Sequence, residues 1–113
     1  MNRGEIWEID FNPTKGAEIN KIRPAVIISD DNIGVLPLKI IVPITDWKSQ
    51  FADYSWMSQL FPSPTNNLIK PSCADSFQVK SLSLNRFIRK IGQVTIDELE
   101  EIVAGVAICV NFQ

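Results

Sequence analysis

The hydrophobic and polar positions along this chain predict several strands followed by one helix. Three early runs rich in aromatic, β-branched and other apolar residues are predicted to be strands, and they cover residues 3–10, 24–29 and 38–44. Residues 29–34 form the connection between the second and third strands. Two shorter strands are expected within residues 72–78 and 86–93, joined by a turn or short helix around residues 81–85.

The end of the chain has the signature of an amphipathic helix. Thr95 with Glu98 three positions later makes a capping box at its start. Apolar residues then recur at helical spacing at Ile96, Leu99, Val103 and Val106. Because the opposite side is acidic and anionic lipid would repel it, the apolar side is predicted to form core or a dimer interface rather than to bind a membrane.

Composition fits a single domain spanning residues 1–113. With 113 residues and 45% hydrophobic content, the chain can bury one small core. The most apolar late run, residues 102–110, is far shorter than the roughly 20 residues that span a bilayer, and MNRGE leads into a strand without an apolar signal region. A cytoplasmic protein is therefore expected.

Cysteine and histidine usage gives little support to a metal site. Cys73 and Cys109 form no CxxC pair and are too few for a disulfide framework, so reduced and mostly packed thiols are expected. Because the sequence has no His, zinc is not expected either. We expect no metal and no cofactor.

The net charge conceals two oppositely charged regions. The formal net charge of −2 argues at first against a nucleic-acid partner. Four acids lie in the predicted helix, namely Asp97, Glu98, Glu100 and Glu101. Without these four of the 13 acidic residues, the 11 basic residues exceed the acidic ones by two. Residues 76–96 contain no acid and four bases, Lys80, Arg86, Arg89 and Lys90. This basic segment is predicted either to meet RNA or to be solvated surface.

The first predicted loop and the strand after it hold the most suggestive chemistry. Asn12, Pro13, Gly16 and Asn20 break any regular element there, and Glu18 places a carboxylate in the loop. Arg23 directly precedes a proline, which favours an extended backbone and projects the guanidinium from the lip where loop becomes strand. A fixed cation beside a carboxylate suits phosphate chemistry.

The chain resembles the MazF/PemK family of toxin endoribonucleases along nearly its whole length. The resemblance lies in RGEIW, NPTKG, the Glu before RPAV, the strand IVPIT that ends on Thr45, and the later block LIKPSCADSFQVKSLSLNRF. It implies an all-β dominated fold, an SH3-like β-barrel of the MazF/PemK/CcdB type with a C-terminal helix.

The resemblance also implies a function. Such a protein would be a sequence-specific, metal-independent endoribonuclease that cuts single-stranded mRNA to 2′,3′-cyclic phosphate and 5′-hydroxyl ends and so inhibits translation and growth. It would be a homodimer, neutralised by a cognate MazE-like antitoxin, that meets promoter DNA only through the toxin–antitoxin complex and does not bind membranes.

The family motifs carry over three catalytic residues, Arg23, Thr45 and Glu18. Cleavage without metal proceeds by attack of the ribose 2′-hydroxyl on phosphorus, which requires a proton acceptor, a cation and a proton donor. Arg23 is expected mainly to stabilise the transition state, and Glu18 to accept a proton weakly. Glu18 has an alternative interpretation as a loop carboxylate that pairs with Lys15 or Lys21.

RNA-binding residues follow from the same positions. They are Asn12, Thr14, Lys15 and Lys21 in the first loop, with Ser72, Gln78 and Lys80 in the later block. Period-2 alternation is expected to place Gln78 and Lys80 on one face of a strand. The loop residues have an equally good interpretation as solvent-facing turn chemistry.

Residues 46–67 are the most aromatic and least patterned part of the chain, with Trp47, Phe51, Tyr54, Trp56 and Phe61. These rings are predicted mainly to fill the core or an interface, although stacking on RNA bases is the alternative.

Two departures from the family keep other functions open. Ile19, Asn20, Lys21 and Ile22 stand where relatives often have Gln and Gly, and Lys80 stands where many have Arg. The alternatives are a CcdB-like inhibitor that binds DNA gyrase without catalysis, and a catalytically silent regulator. Retention of Glu18, Arg23 and Thr45 favours the nuclease.

Overall fold

A computed structural model describes residues 1–112 as seven strands and one helix. The strands are β1 (Glu5–Asp10), β2 (Ile22–Ile27), β3 (Leu38–Asp46), β4 (Met57–Leu60), β5 (Ser72–Asp75), β6 (Lys80–Ser83) and β7 (Phe87–Gln93), and the helix is α1 (Ile96–Cys109). Short 3₁₀ turns cover Ser49–Asp53, Ser76–Gln78 and Leu84–Arg86.

The strands form one bent antiparallel sheet in the order β4-β5-β3-β2-β1-β7. The long strand β3 divides its outer edge between two partners, because its first half pairs with β6 and its last residues pair with β5. Within residues 1–112 the hydrogen-bonded path from β4 to β7 does not close on itself. The expected fold class, all-β dominated with a C-terminal helix, is confirmed.

The core has two parts because β2 is buried on both faces. Val26 belongs to a cluster that α1 covers, whereas its neighbours Ala25 and Ile27 belong to a second cluster around Phe11. This pattern explains why the strand reads as an uninterrupted apolar run rather than an alternation. The buried residues 25–27 follow directly on Arg23 and Pro24 in the same strand, so the core holds the strand from which Arg23 projects.

The C-terminal helix begins with the capping box that the sequence predicts. The Thr95 side chain accepts a hydrogen bond from the Glu98 amide, and the Glu98 side chain accepts one from the Thr95 amide. Leu99 and Ile102 enter the core. Gly105 is buried where the helix crosses the turn after β5, and a Cβ there would lie 2.7 Å from the Ser76 Oγ. None of the helices within residues 1–112 is long and apolar enough to cross a membrane.

The predicted boundaries fail mainly at short, polar strands. β6 occupies residues 80–83, where the pattern predicted the start of a turn, and β4 lies inside the segment that showed no pattern. The strand predicted over residues 72–78 ends at Asp75, and a 3₁₀ turn follows it. Both missed strands are four residues long, and pairing with β3 or β5, rather than local preference, makes them strands.

Candidate functional site

Arg23 and Thr45 line the same cleft, which has a volume of about 280 Å³. Arg23 enters it at the start of β2, paired with Ile9 across the β1–β2 ladder. Thr45 lies near the end of β3, paired with Cys73 on β5. Strand pairing therefore brings together two residues that are 22 positions apart in sequence.

Arg23 is the basic residue of the cleft whose guanidinium has no ion-pair partner within residues 1–112. The residue is half-buried, and within residues 1–112 its side chain makes no hydrogen bond or ion pair. A half-buried arginine with no carboxylate partner retains its full capacity to bind an anion.

The other charged side chains that line this cleft are paired. Lys70 Nζ lies 3.0 Å from Asp46 Oδ1, and Arg89 Nη2 lies 3.1 Å from Glu8 Oε2. Three cations thus face two carboxylates, which leaves the charge of Arg23 without a partner in the part of the chain that the structure describes. A phosphate in the cleft would meet this charge first.

Lys70, Arg89 and Glu8 are cleft residues that sequence reasoning did not assign to the site. In the sequence Arg89 is only part of the basic segment, and nothing local connects it to Glu8, 81 positions away. The signal that could have found it is the pairing of β1 with β7, which puts Glu8 opposite Arg89.

Ser72 is in the cleft but is already engaged. It is buried at the start of β5, opposite Asp46, and its Oγ donates to the Lys70 carbonyl over 2.8 Å. This bond fixes the bend that carries Lys70 into the cleft. A contact from Ser72 to RNA stays a prediction.

Glu18 lies elsewhere, in an open cleft of about 460 Å³ that it shares with Gln78 and Lys80. Its Oε2 is 3.6 Å from Lys80 Nζ. The alternative interpretation of Glu18 as a loop carboxylate that pairs with Lys15 or Lys21 is therefore wrong about the partner, because folding brings β6 beside the first loop. The structure does not place Glu18 with Arg23 and Thr45, and its catalytic role stays a prediction.

Gln78 and Lys80 do not share a strand face. Gln78 lies in the 3₁₀ turn Ser76–Gln78, and Lys80 is the first residue of β6, so the predicted alternation is wrong at this point. Both still face the first loop. The Gln78 Oε1 accepts a hydrogen bond of 2.8 Å from the Ile19 amide, and Lys80 Nζ lies 5.9 Å from the centre of the Phe11 ring.

The first loop is closed at its base by its own residues. The Asn12 Oδ1 accepts a hydrogen bond of 3.1 Å from the Lys21 amide, and the Phe11 amide donates to the Lys21 carbonyl over 2.9 Å. Lys21 itself has a φ of 68°, in the left-handed region. Lys15 is exposed and Thr14 half-buried, and contact of these four loop residues with RNA stays a prediction.

The aromatic side chains of residues 47–56 form a chain of ring contacts that Phe77 extends. Neighbouring ring centres are 5.0 to 6.3 Å apart along Trp47, Phe51, Tyr54, Trp56 and Phe77. Within residues 1–112 none of these rings belongs to a core cluster, and Tyr54 and Phe77 are exposed, so the rings pack on one another at the surface. Of the two places predicted for them, the core is not the one found, and an interface stays a prediction. Phe61 is outside the chain of contacts and is 64% exposed.

The two thiols are unpaired, and one of them is strongly perturbed. Burial of the side chain, together with the negative charge of Asp75, raises the pKa of the Cys73 thiol to about 12. The same two causes raise the pKa of the half-buried Cys109. Within residues 1–112 no cluster of three or more His, Cys, Asp or Glu side chains could hold a metal ion.

Comparison with known proteins gives a consistent result. Residues 2–110 match the model of a family described as PemK-like, MazF-like toxin of type II toxin-antitoxin system. The chain is 32% identical to Endoribonuclease MazF9 of Mycobacterium tuberculosis over 108 residues, which is 90% of this chain and 89% of that protein.

Solved structures agree on the fold. The crystal structure of MazF from Deinococcus radiodurans superimposes with a TM-score of 0.81 at 21% identity, over 98% of this chain and 96% of that one. An endoribonuclease in complex with its cognate antitoxin from a mycobacterial species superimposes with a TM-score of 0.75 at 15% identity, over 100% and 97% of the two chains.

Proposed function

Because this chain belongs to the PemK-like, MazF-like toxins of type II toxin–antitoxin systems, we propose that it is an endoribonuclease that cuts single-stranded RNA without a metal ion. It would act on mRNA in the cytoplasm and inhibit translation and growth. The observation that carries the proposal is the cleft in which Arg23 lies with Thr45 and has no carboxylate partner among residues 1–112.

Arg23 would bind the scissile phosphate and stabilise its transition state. Attack of the ribose 2′-hydroxyl turns the phosphodiester into a phosphorane with additional negative charge on its oxygens. A guanidinium can donate two parallel hydrogen bonds to such oxygens. Its partial burial strengthens this interaction, since water competes less for both groups.

Thr45 would orient the reacting groups through its hydroxyl. A threonine hydroxyl both donates and accepts, so it can donate to a phosphate oxygen or accept from the attacking 2′-hydroxyl. Its backbone is held near the end of β3 by the pairing with Cys73, in the wall of the cleft that Arg23 also lines. As the new P–O2′ bond forms, the P–O5′ bond would break. Water would take the proton of the 2′-hydroxyl and supply one to the leaving 5′ oxygen, so that the products would be a 2′,3′-cyclic phosphate and a 5′-hydroxyl.

Glu18 would contribute through the loop that carries it. In the described conformation its carboxylate pairs with Lys80 over 3.6 Å, outside the Arg23 cleft. Reaching the scissile phosphate would require the loop to swing and this ion pair to break. We therefore assign Glu18 a smaller role than Arg23 and Thr45.

A cognate antitoxin would neutralise the enzyme by covering the same cation. The relative from a mycobacterial species was solved with its cognate antitoxin. An acidic antitoxin segment laid in the cleft would satisfy the Arg23 guanidinium and exclude phosphate. We propose a homodimer for the active form, with promoter DNA bound only by the toxin–antitoxin complex.

The test is cleavage of a long single-stranded RNA in EDTA, with fragment ends mapped. Wild type is expected to cut at discrete sites, and Arg23→Ala is expected to slow cleavage by about 100-fold or more, the usual cost of removing a main electrostatic group. Arg3→Ala is the matched control. Arg3 lies beside Ile28, at the opposite end of the β1–β2 ladder, so its loss should leave cleavage unchanged.

Intact RNA with folded wild-type protein would contradict the proposal and favour the gyrase-binding inhibitor or the silent regulator. Cleavage by wild type only when Mg²⁺ is added would contradict metal independence while leaving the nuclease in place.

A further inference from the structure

The turn after β5 contains a buried carboxylate that contacts a half-buried amide side chain. Asp75 is 6% exposed. Its Oδ2 accepts a hydrogen bond of 3.1 Å from Gln78 Nε2, and its Oδ1 accepts one of 3.1 Å from the Phe77 amide. Both carboxylate oxygens are therefore used inside the protein rather than by solvent.

This contact fixes the direction of the Gln78 amide. A carboxylate can only accept hydrogen bonds, so the NH₂ group of Gln78 must face Asp75. The carbonyl oxygen of Gln78 then faces the opposite way, where it accepts the hydrogen bond of 2.8 Å from the Ile19 amide. Reversing the amide would break both bonds at once.

Ile19 is the point where the first loop is attached to the body of the protein near the loop's C-terminal end. Its side chain packs against the core cluster around Phe11, and its amide is held by Gln78, 59 positions away. The neighbouring ion pair between Glu18 and Lys80 is more than half exposed on the Glu18 side, so it holds the loop only weakly. Gln78 supplies the directional contact.

We propose that Asp75 and Gln78 are positioning residues that hold the loop of residues 11–21 through Ile19, and that Gln78 serves RNA binding by this route rather than by contacting RNA. The RNA part rests on the proposed function. The loop leads directly into Ile22 and Arg23 at the start of β2, so its position sets how RNA approaches the Arg23 cleft.

Exchanging the two side-chain types tests this proposal. In Gln78→Glu two carboxylates face each other, and the donor to Asp75 is lost. In Asp75→Asn two amides face each other. The new oxygen can accept from Gln78 only by giving up the bond from the Phe77 amide, and Gln78 can accept from the new NH₂ group only by turning its own NH₂ group toward the Ile19 amide. The double variant Asp75→Asn/Gln78→Glu restores every bond. The amide introduced at position 75 can donate to the carboxylate introduced at position 78, and that carboxylate still accepts from the Ile19 amide.

The first readout is hydrogen exchange of the Ile19 amide, which needs no substrate. Gln78→Glu is expected to speed exchange of the Ile19 amide by about 10-fold, because repulsion from Asp75 pushes the new carboxylate away from that amide. Asp75→Asn is expected to speed exchange of the Ile19 or the Phe77 amide by a similar factor, and the double variant is expected to return both amides to the wild-type rate. The second readout is RNA cleavage, where the singles are expected to raise KM by about 5- to 10-fold at nearly constant kcat, and the double to restore it.

A Gln78→Glu variant without effect on Ile19 exchange, or a double variant in which this amide exchanges as fast as in Gln78→Glu, would overturn the proposal. A double variant that restores exchange but not KM would place Gln78 in direct contact with RNA. It would overturn the proposal that Gln78 serves RNA binding only by holding the loop. If wild type cuts no RNA while the exchange pattern holds, the positioning contact stands and the proposed function fails. Gln78→Met, which keeps the side-chain length without hydrogen bonds, repeats the exchange test should a charged variant fold poorly.

Discussion

Arg86 Nη1 donates a hydrogen bond of 2.7 Å to the main-chain carbonyl of Asn12, across 74 positions of sequence. The same nitrogen lies 3.2 Å from the carbonyl of Asp10. One guanidinium thus holds the chain where β1 ends and the first loop begins. Together with the contact of Gln78 to Ile19, it attaches the loop to the body of the protein near both of its ends.

Arg86→Lys is expected to loosen the start of this loop. A lysine keeps the charge but loses the planar donor group that reaches two carbonyls, so we expect the free energy of unfolding to fall by about 1 kcal/mol. Urea denaturation measures this change. Lys48→Arg, at an exposed residue outside the loop, is the control and should leave stability unchanged. An Arg86→Lys protein as stable as wild type would show that the planar guanidinium is not needed to hold the two carbonyls.

Gly105→Ala should destabilise the packing of α1 against the body of the protein. The added Cβ would meet the Ser76 Oγ at 2.7 Å, and that hydroxyl donates to the Ile102 carbonyl over 2.9 Å. We expect a net loss of about 1–3 kcal/mol in the free energy of unfolding, although alanine favours helix more than glycine does. Thermal denaturation beside Ala104→Ser, on the exposed side of the same helix, checks it. A rise in Tm for Gly105→Ala would mean that the helix shifts without cost.

Cys73 should resist alkylation at a pH where ordinary thiols react. With its pKa raised to about 12, the thiolate is favoured only above that pH. At pH 8 roughly one Cys73 in ten thousand would be a thiolate, against roughly one in ten for a thiol with a pKa near 9. Mass spectrometry of iodoacetamide-treated native protein should show modification at Cys109 first. Rapid modification of Cys73 in the folded protein would contradict the burial described.

Glu18→Gln should reduce RNA cleavage far less than Arg23→Ala does. The Glu18 carboxylate pairs with Lys80 outside the Arg23 cleft, so its loss removes a partly exposed ion pair rather than a group beside the scissile phosphate. We expect a change in kcat of less than about 10-fold. The pH profile of kcat provides a second test, because a catalytic base would give an acidic limb that Glu18→Gln removes. Loss of that limb would return Glu18 to the role of proton acceptor.

Local signals were the easiest to interpret from the sequence. The capping box of Thr95 and Glu98 was predictable because its contacts span three positions. β6 and β4 were not, because four-residue polar strands become strands only through pairing with β3 and β5. The ion-pair partner of Glu18 was equally unpredictable from local sequence. Its partner proved to be Lys80, which lies 62 positions away and comes close only when β6 forms.

The pair of Arg23 and Thr45 could be placed from the sequence only through its family motifs. Neither residue signals a site alone, since a strand-end threonine usually satisfies backbone groups. The ion pairs beside them, Lys70 with Asp46 and Arg89 with Glu8, depend on strand pairing and lay beyond sequence reasoning. These pairs matter because, among the described residues that line the cleft, they leave Arg23 as the unpaired charge.

The most direct test of the central claim is the rate of RNA cleavage in EDTA on two matched substrates. One is a single-stranded RNA spanning a mapped cut site, and the other carries one 2′-deoxyribose on the 5′ side of the scissile bond. We predict that wild type cuts the first to a 2′,3′-cyclic phosphate and leaves the second intact at that bond, because the attacking hydroxyl is missing. Cleavage of the deoxy-substituted bond at a similar rate would contradict 2′-hydroxyl attack in the cleft of Arg23 and Thr45.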